Sequence, residues 1–189
     1  MKKLIRAAMV ATAAFSVMVV AGTPAHADAK ARPLTVVKKV VTDRIDKRLA
    51  ALQKFGTTLG RAEKVQAAHR ATLTSLINDQ TAGLKALRTK VGGETTAAAV
   101  KADARSMVDD FRVFILTGPK VRLTAAIDTE LAVATKLGDK ADPAADKLAG
   151  QVDKLLAIEP GPDAGAIKDQ VKPVREAARA ARTELKALK

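Results

Sequence analysis

The sequence predicts an all-α protein, an elongated antiparallel bundle of about five helices with one kink at Gly118-Pro119. Three observations predict it. The chain has four Phe and no Trp or Tyr, so aromatic residues make up only 2% of it, whereas sheets draw on aromatic and β-branched residues. Ala, Leu, Lys, Arg and Glu, all strong helix formers, recur throughout. Apolar residues return at three- and four-residue steps over long stretches, and Gly and Pro punctuate those stretches.

The first segment reads as an export signal rather than as part of the bundle. Lys2, Lys3 and Arg6 make a cationic start, Ala7 to Val20 is apolar and uncharged, and Gly22 and Pro24 break any helix. Ala25 and Ala27 then place small residues at the −3 and −1 positions of a signal-peptidase site. The apolar run is shorter than the roughly 18–20 residues that span a bilayer. We expect cleavage between Ala27 and Asp28. The mature chain, residues 28–189, is then a single helical domain without a transmembrane segment, secreted or associated with the cell wall.

The helices follow in order. Pro33 suits the first turn of a helix, whose apolar stripe is Leu34, Val37, Val41, Ile45, Leu49, Leu52, Phe55 and Leu59. A bend or turn is expected around residues 60–66, after Gly56 and Gly60. The next stripe, Val65, His69, Leu73, Leu76, Leu84, Leu87 and Val91, stops at Gly92-Gly93. Thr95 or Thr96 can cap a third helix carrying Val100, Ala104, Met107, Phe111 and Phe114. That helix meets Gly118-Pro119, where the proline predicts a kink, and its pattern resumes from Leu123 to Leu137 before Gly138. Phe111, Phe114 and Pro119 are expected to fill the core of this kinked segment. Asp142-Pro143 opens a short helix through about residue 157, residues 159–163 form a connection, and a last helix runs from about Asp163 to the end.

The last helix carries the sharpest pattern. Its apolar seam is Ile167, Val171, Val174, Ala178, Ala181, Leu185 and Leu188. One residue further on in each case stand Lys168, Lys172, Arg175, Arg179, Arg182, Lys186 and Lys189. Every basic residue of this helix therefore falls on one flank of the seam, about 100° round from it. Two readings stay open. The stripe is a solvated face whose long stems cover the edge of the core, or it is a surface for polyanions. Pro173 interrupts the helix without shifting the phase of the seam.

Composition narrows the chemistry. The chain holds 33 basic and 20 acidic residues, a formal charge of +13, with no cysteine. Thiol catalysis, disulfides, lipidated cysteine and thiolate metal sites are thereby excluded. His69 is the only histidine beyond the leader, and a lone histidine within an apolar stripe reads as an interfacial side chain rather than a metal ligand. Asp139-Lys140-Ala141-Asp142 lacks the glycine and terminal glutamate of a calcium loop. Ser75 and Ser106 sit in no nucleophile motif, and no phosphate-cradling glycine loop is present. We expect no enzyme, no cofactor and no metal. Single-stranded nucleic acid recognition leans on aromatic platforms that are missing here, and nothing indicates sequence readout of DNA.

Phe111-Arg112-Val113-Phe114-Ile115-Leu116, then Pro119-Lys120-Val121 and Ala125-Ala126-Ile127-Asp128, resembles a pattern of uncharacterised secreted helical proteins of actinobacteria and neighbouring lineages. Arg70-Ala71-Thr72-Leu73 and Gly83-Leu84-Lys85-Ala86-Leu87 are similar to theirs as well. The likeness covers roughly residues 43–138. The relatives usually carry Tyr at the aromatic positions where this chain has Phe. The resemblance implies a secreted helical bundle and brings no activity with it.

These observations point to a secreted, non-enzymatic binding module associated with the cell envelope. Its partners would be anionic envelope polymers or an anionic lipid surface. The alternative is a structural or coiled-coil assembly protein whose seams pair between copies. A third class is a cryptic enzyme or small-ligand carrier that uses a cavity near Gly118-Pro119. Exposed seam residues would favour assembly, and a polar pocket at the kink would favour the carrier.

Overall fold

The computed structural model describes residues 32–188, and among them every regular element is a helix. The expected leader and its cleavage site lie outside the described residues. Four helices of 20 residues or more dominate: α1 (Leu34–Arg61), α2 (Ala67–Gly93), α4 (Gly118–Leu137) and α7 (Ala164–Ala187). Shorter ones lie between them: α3 (Ala97–Asp109), α5 (Asp142–Leu148) and α6 (Gln151–Leu156).

Local chemistry accounts for most boundaries. Pro33 precedes α1 as its N-cap, and its carbonyl accepts from the N–H groups of Val36 and Val37. Gly56 and Gly60 do not end α1, which continues to Arg61. The Thr96 hydroxyl caps α3 by accepting from the Ala99 N–H at 3.2 Å. The Asp163 carboxylate caps α7, accepting from Gly165 and Ala166 at 2.7 and 3.0 Å. Each cap satisfies N–H groups that the first turn leaves without an intrahelical partner.

The expectation of five helices is corrected at two places. The third helix does not reach Gly118. It stops at Asp109 because Arg112 adopts a left-handed conformation, φ 43° and ψ 37°, which no α-helix can carry. A π-helical turn over Val113–Thr117 follows, and α4 starts afresh at Gly118. Pro119 thus stands in the first turn of α4, where its missing N–H leaves no bond unmade, and it opens a helix rather than kinking one. The second place is Gly150, whose φ of 66° divides the expected single helix of 142–157 into α5 and α6.

The rotation at Arg112 also corrects the core. Phe114 is 52% exposed, with the Arg48 guanidinium 5.3 Å from its ring centroid. Phe111 and Pro119 are half-buried. A left-handed residue between Phe111 and Phe114 takes the two rings off a common face. Val113, Leu116 and Val121 fill the interior of the segment, and of the two rings only Phe111 packs against the cluster that holds Val113 and Val121.

Lys38 at the start of α1 donates to the Gly92 carbonyl at the end of α2 at 2.7 Å, and Arg70 near the start of α2 donates to the Leu59 and Ala62 carbonyls near the end of α1. The pair therefore folds back on itself, and Val41, Ile45, Leu52, Leu73 and Leu84 are buried with Met107 of α3. A second apolar cluster joins Ile127 and Ala134 of α4 to Leu148, Leu155 and the α7 seam. Helix α4 packs against α1, α2, α5, α6 and α7, and so lies between the two clusters.

Candidate functional site

Two features of the molecule offer chemistry, and the first is the basic face of α7. Ile167, Val171, Val174, Ala178, Ala181 and Leu185 are buried on both sides of Pro173, so the seam keeps its phase through the proline. Lys168, Lys172, Arg175, Arg179, Arg182 and Lys186 are all exposed. At about 100° per residue their positions fall within an arc of roughly 80°. Lys189 lies outside the described residues. Arg182 pairs with Glu130 of α4 at 3.2 Å, and Lys172 approaches Glu176 at 4.0 Å. Among the described residues Lys168, Arg175, Arg179 and Lys186 make no ion pair. Arg48, Phe114 and Lys168 line a shallow groove at the start of α7, which brings the exposed ring beside the basic face.

Burial holds the Glu130 carboxyl above the usual carboxylate range, and the nearby Arg182 charge opposes that shift. One of its oxygens, Oε2, is buried without a partner. Arg182 is therefore partly a tether for a buried acid, unlike the four unpaired cations of the same face.

The second feature is a polar seam along α4 that the apolar stripe did not reveal. Thr117, Lys120, Thr124 and Asp128 are all buried. They stand at steps of three and four, the spacing of one helical face. The Thr117 hydroxyl donates to Gln80 Oε1 at 2.8 Å, and Gln80 Nε2 donates to the Phe111 carbonyl at 3.0 Å. Lys120 Nζ donates to the Leu156 and Ile158 carbonyls at 2.8 and 2.6 Å. Burial lowers the Lys120 ammonium from its ordinary value, while the Glu159 charge opposes that shift. Asp128, 2% exposed, accepts from the Gln66 N–H at 2.9 Å and lies 3.0 Å from His69 Nδ1. His69 thus sits where the start of α2 meets α4.

Between α2, the π-turn and the 156–160 segment lies a cavity of about 350 Å³. Thr117, Lys120 and Gln80 line it, together with apolar groups of Leu76, Phe111, Leu116 and Leu156. The strained backbone beside it is fixed from outside. Arg112 donates to the Gly161 carbonyl at 2.5 Å, to the Pro162 carbonyl and to Asp109 at 3.0 Å. Strain held in place by such ties tends to gather at functional sites, as do π-turns.

No protein-family model, curated protein or solved structure matches this chain. Among the described residues, no group of three or more His, Cys, Asp or Glu stands together as a metal-binding set. No helix among them is long and apolar enough to cross a membrane.

Sequence reasoning found the α7 face because that face depends only on positions along one helix. It missed Gln80, Lys120 and Asp128. The available signal was the polar three-and-four spacing of Thr117, Lys120, Thr124 and Asp128, read with the same ruler as the apolar stripe.

Proposed function

We propose that the chain is an exported, non-enzymatic binding module that engages a phosphate-bearing anionic polymer or lipid surface of the cell envelope. It does so through the basic face of α7. The observation that carries this reading is the group of six exposed cations in one narrow arc, four of them free of ion pairs among the described residues. Such a row concentrates positive potential toward solvent, and a polyanion meets its four unpaired cations without breaking an ion pair inside the fold. The leader pattern of residues 1–27 supports export.

The exposed Phe114 beside Arg48 and Lys168 supports the lipid form of the partner, because an aromatic ring among cations suits the headgroup region. Assembly through the α7 seam has weaker support. From Ile167 to Leu185 that seam is spent inside the chain against α4, α5 and α6, and only its last residue, Leu188, stands exposed.

The test is charge reversal at the four unpaired positions, Lys168, Arg175, Arg179 and Lys186, each to Glu. Arg182 is left in place because it serves Glu130. The helical signal should be unchanged. Retention on isolated cell walls and on vesicles of anionic phospholipid should collapse. Wild-type retention should fall steeply with salt, since exposed charges are screened within about 10 Å at 0.1 M. Phe114→Ala should weaken vesicle retention and leave wall-polymer retention intact if lipid is the partner. Equal retention of wild type and the four-site variant on both surfaces would reduce the stripe to a solvated face.

A further inference from the structure

The cavity beside the π-turn has a layered charge pattern that the basic face of α7 does not explain. Its inner wall is cationic and polar: Lys120 is 5% exposed, and Thr117 and Gln80 are also buried. Its mouth is anionic, lined by the exposed residues Asp79, Asp110 and Glu159. A volume of about 350 Å³ lies within the range of small-molecule sites.

Lys120 is incompletely satisfied. An ammonium has three N–H donors, and Lys120 uses two on the Leu156 and Ile158 carbonyls. Among the described residues it has no ion-pair partner. Gln80 likewise places one amide N–H on the Phe111 carbonyl and keeps the other. A buried ammonium that makes no direct ion pair, with the Glu159 charge acting on it only from the mouth, is incompletely compensated, and a carboxylate entering the cavity would relieve that penalty. A simple anion, however, would be repelled by three carboxylates at the mouth. A simple cation would be drawn to the mouth and repelled by Lys120. Only a molecule carrying both charges meets its complement at each level.

We propose that this cavity binds a small zwitterion with an apolar side chain, an α-amino acid. Its carboxylate lies toward Lys120 and the Gln80 amide, its ammonium toward Asp79, Asp110 and Glu159, and its side chain against the apolar wall. The site is independent of the α7 face, so reversing the α7 charges leaves it intact.

Titration calorimetry of the mature chain tests this with three probes: L-leucine, N-acetyl-L-leucine without the ammonium, and L-leucinamide without the carboxylate. L-leucine should bind, and each blocked analogue should bind at least tenfold more weakly. Thr72→Trp, a change at an exposed residue of the lining, should abolish leucine binding while keeping the helical signal. Lys120→Met should reduce leucine to the level of leucinamide. Should that variant lose its helical signal, Asp110→Asn decides, by weakening leucine and not N-acetyl-leucine. Absence of leucine binding, equal binding of the three probes, or undiminished binding by Thr72→Trp would overturn the proposal.

Discussion

One added carbon at Gly118 reports how tightly the start of α4 is packed. An ideal Cβ there would lie 2.9 Å from Phe55 Cζ, 3.4 Å from Phe55 Cε2 and 3.5 Å from the Val113 carbonyl oxygen. The backbone itself offers no obstacle, since Gly118 has φ −59° and ψ −50°. On helix propensity alone, Gly118→Ala would gain about 1 kcal/mol. The ring decides the sign. Phe55 is buried in the core of α1, and the Arg122 guanidinium stands 5.6 Å from its centroid. It has little room to retreat. Overpacking of this kind costs about 1–3 kcal/mol, so after the propensity gain a net loss of up to about 2 kcal/mol is expected. Gly56→Ala, in the interior of α1, is the control: nothing lies within 4 Å of its added carbon, and it should gain about 0.5–1 kcal/mol. Urea unfolding followed by circular dichroism reads both. With slopes of about 1–3 kcal/mol per molar, the two midpoints should separate in opposite directions from wild type. Phe55→Leu should cost less in the Gly118→Ala background than alone, a coupling that a double-mutant cycle isolates. A Gly118→Ala variant as stable as Gly56→Ala, or an absence of coupling to Phe55, would refute the reasoning.

Phe114→Ala should cost less than about 1 kcal/mol because the ring is exposed, whereas Leu116→Ala, at a fully buried site, should cost about 2–5 kcal/mol in the same urea assay. Burial raises the Glu130 pKa in the folded chain, so just above the ordinary Glu value the native state keeps a proton that the unfolded state has released. Stability should therefore fall as pH rises through that window. Glu130→Gln should flatten this dependence in thermal melts across mildly acidic pH. Arg182→Ala should steepen it, because the opposing charge is gone. Protein recovered from culture medium should show Asp28 as its first residue by intact mass, and full-length chain retained in the membrane would count against export.

Much of the fold is legible in the sequence because helix formation is local. The caps at Thr96 and Asp163, the turn between α1 and α2, and the phase of the α7 seam all follow from residues within a few positions of one another. The basic face belongs to the same class. Once α7 is helical, 100° per residue assigns Lys168 to Lys186 to one flank, and the buried seam leaves that flank to solvent.

The centre of the molecule obeys other constraints. Nothing adjacent in sequence to Arg112 requires a left-handed residue there. Its conformation is held by carbonyls of Gly161 and Pro162, some fifty positions away. That single backbone choice turns Phe114 outward, ends α3 early and makes Pro119 a helix opener. The polar seam of α4 is buried for a similar reason. Lys120 and Asp128 would be ordinary surface residues on an isolated helix. Only the approach of the 156–158 carbonyls and of the Gln66–His69 turn supplies the partners that make their burial tolerable. Spacing along one chain fixes which residues share a face. Which face meets a neighbour, and which polar groups find partners there, is settled only when distant segments meet.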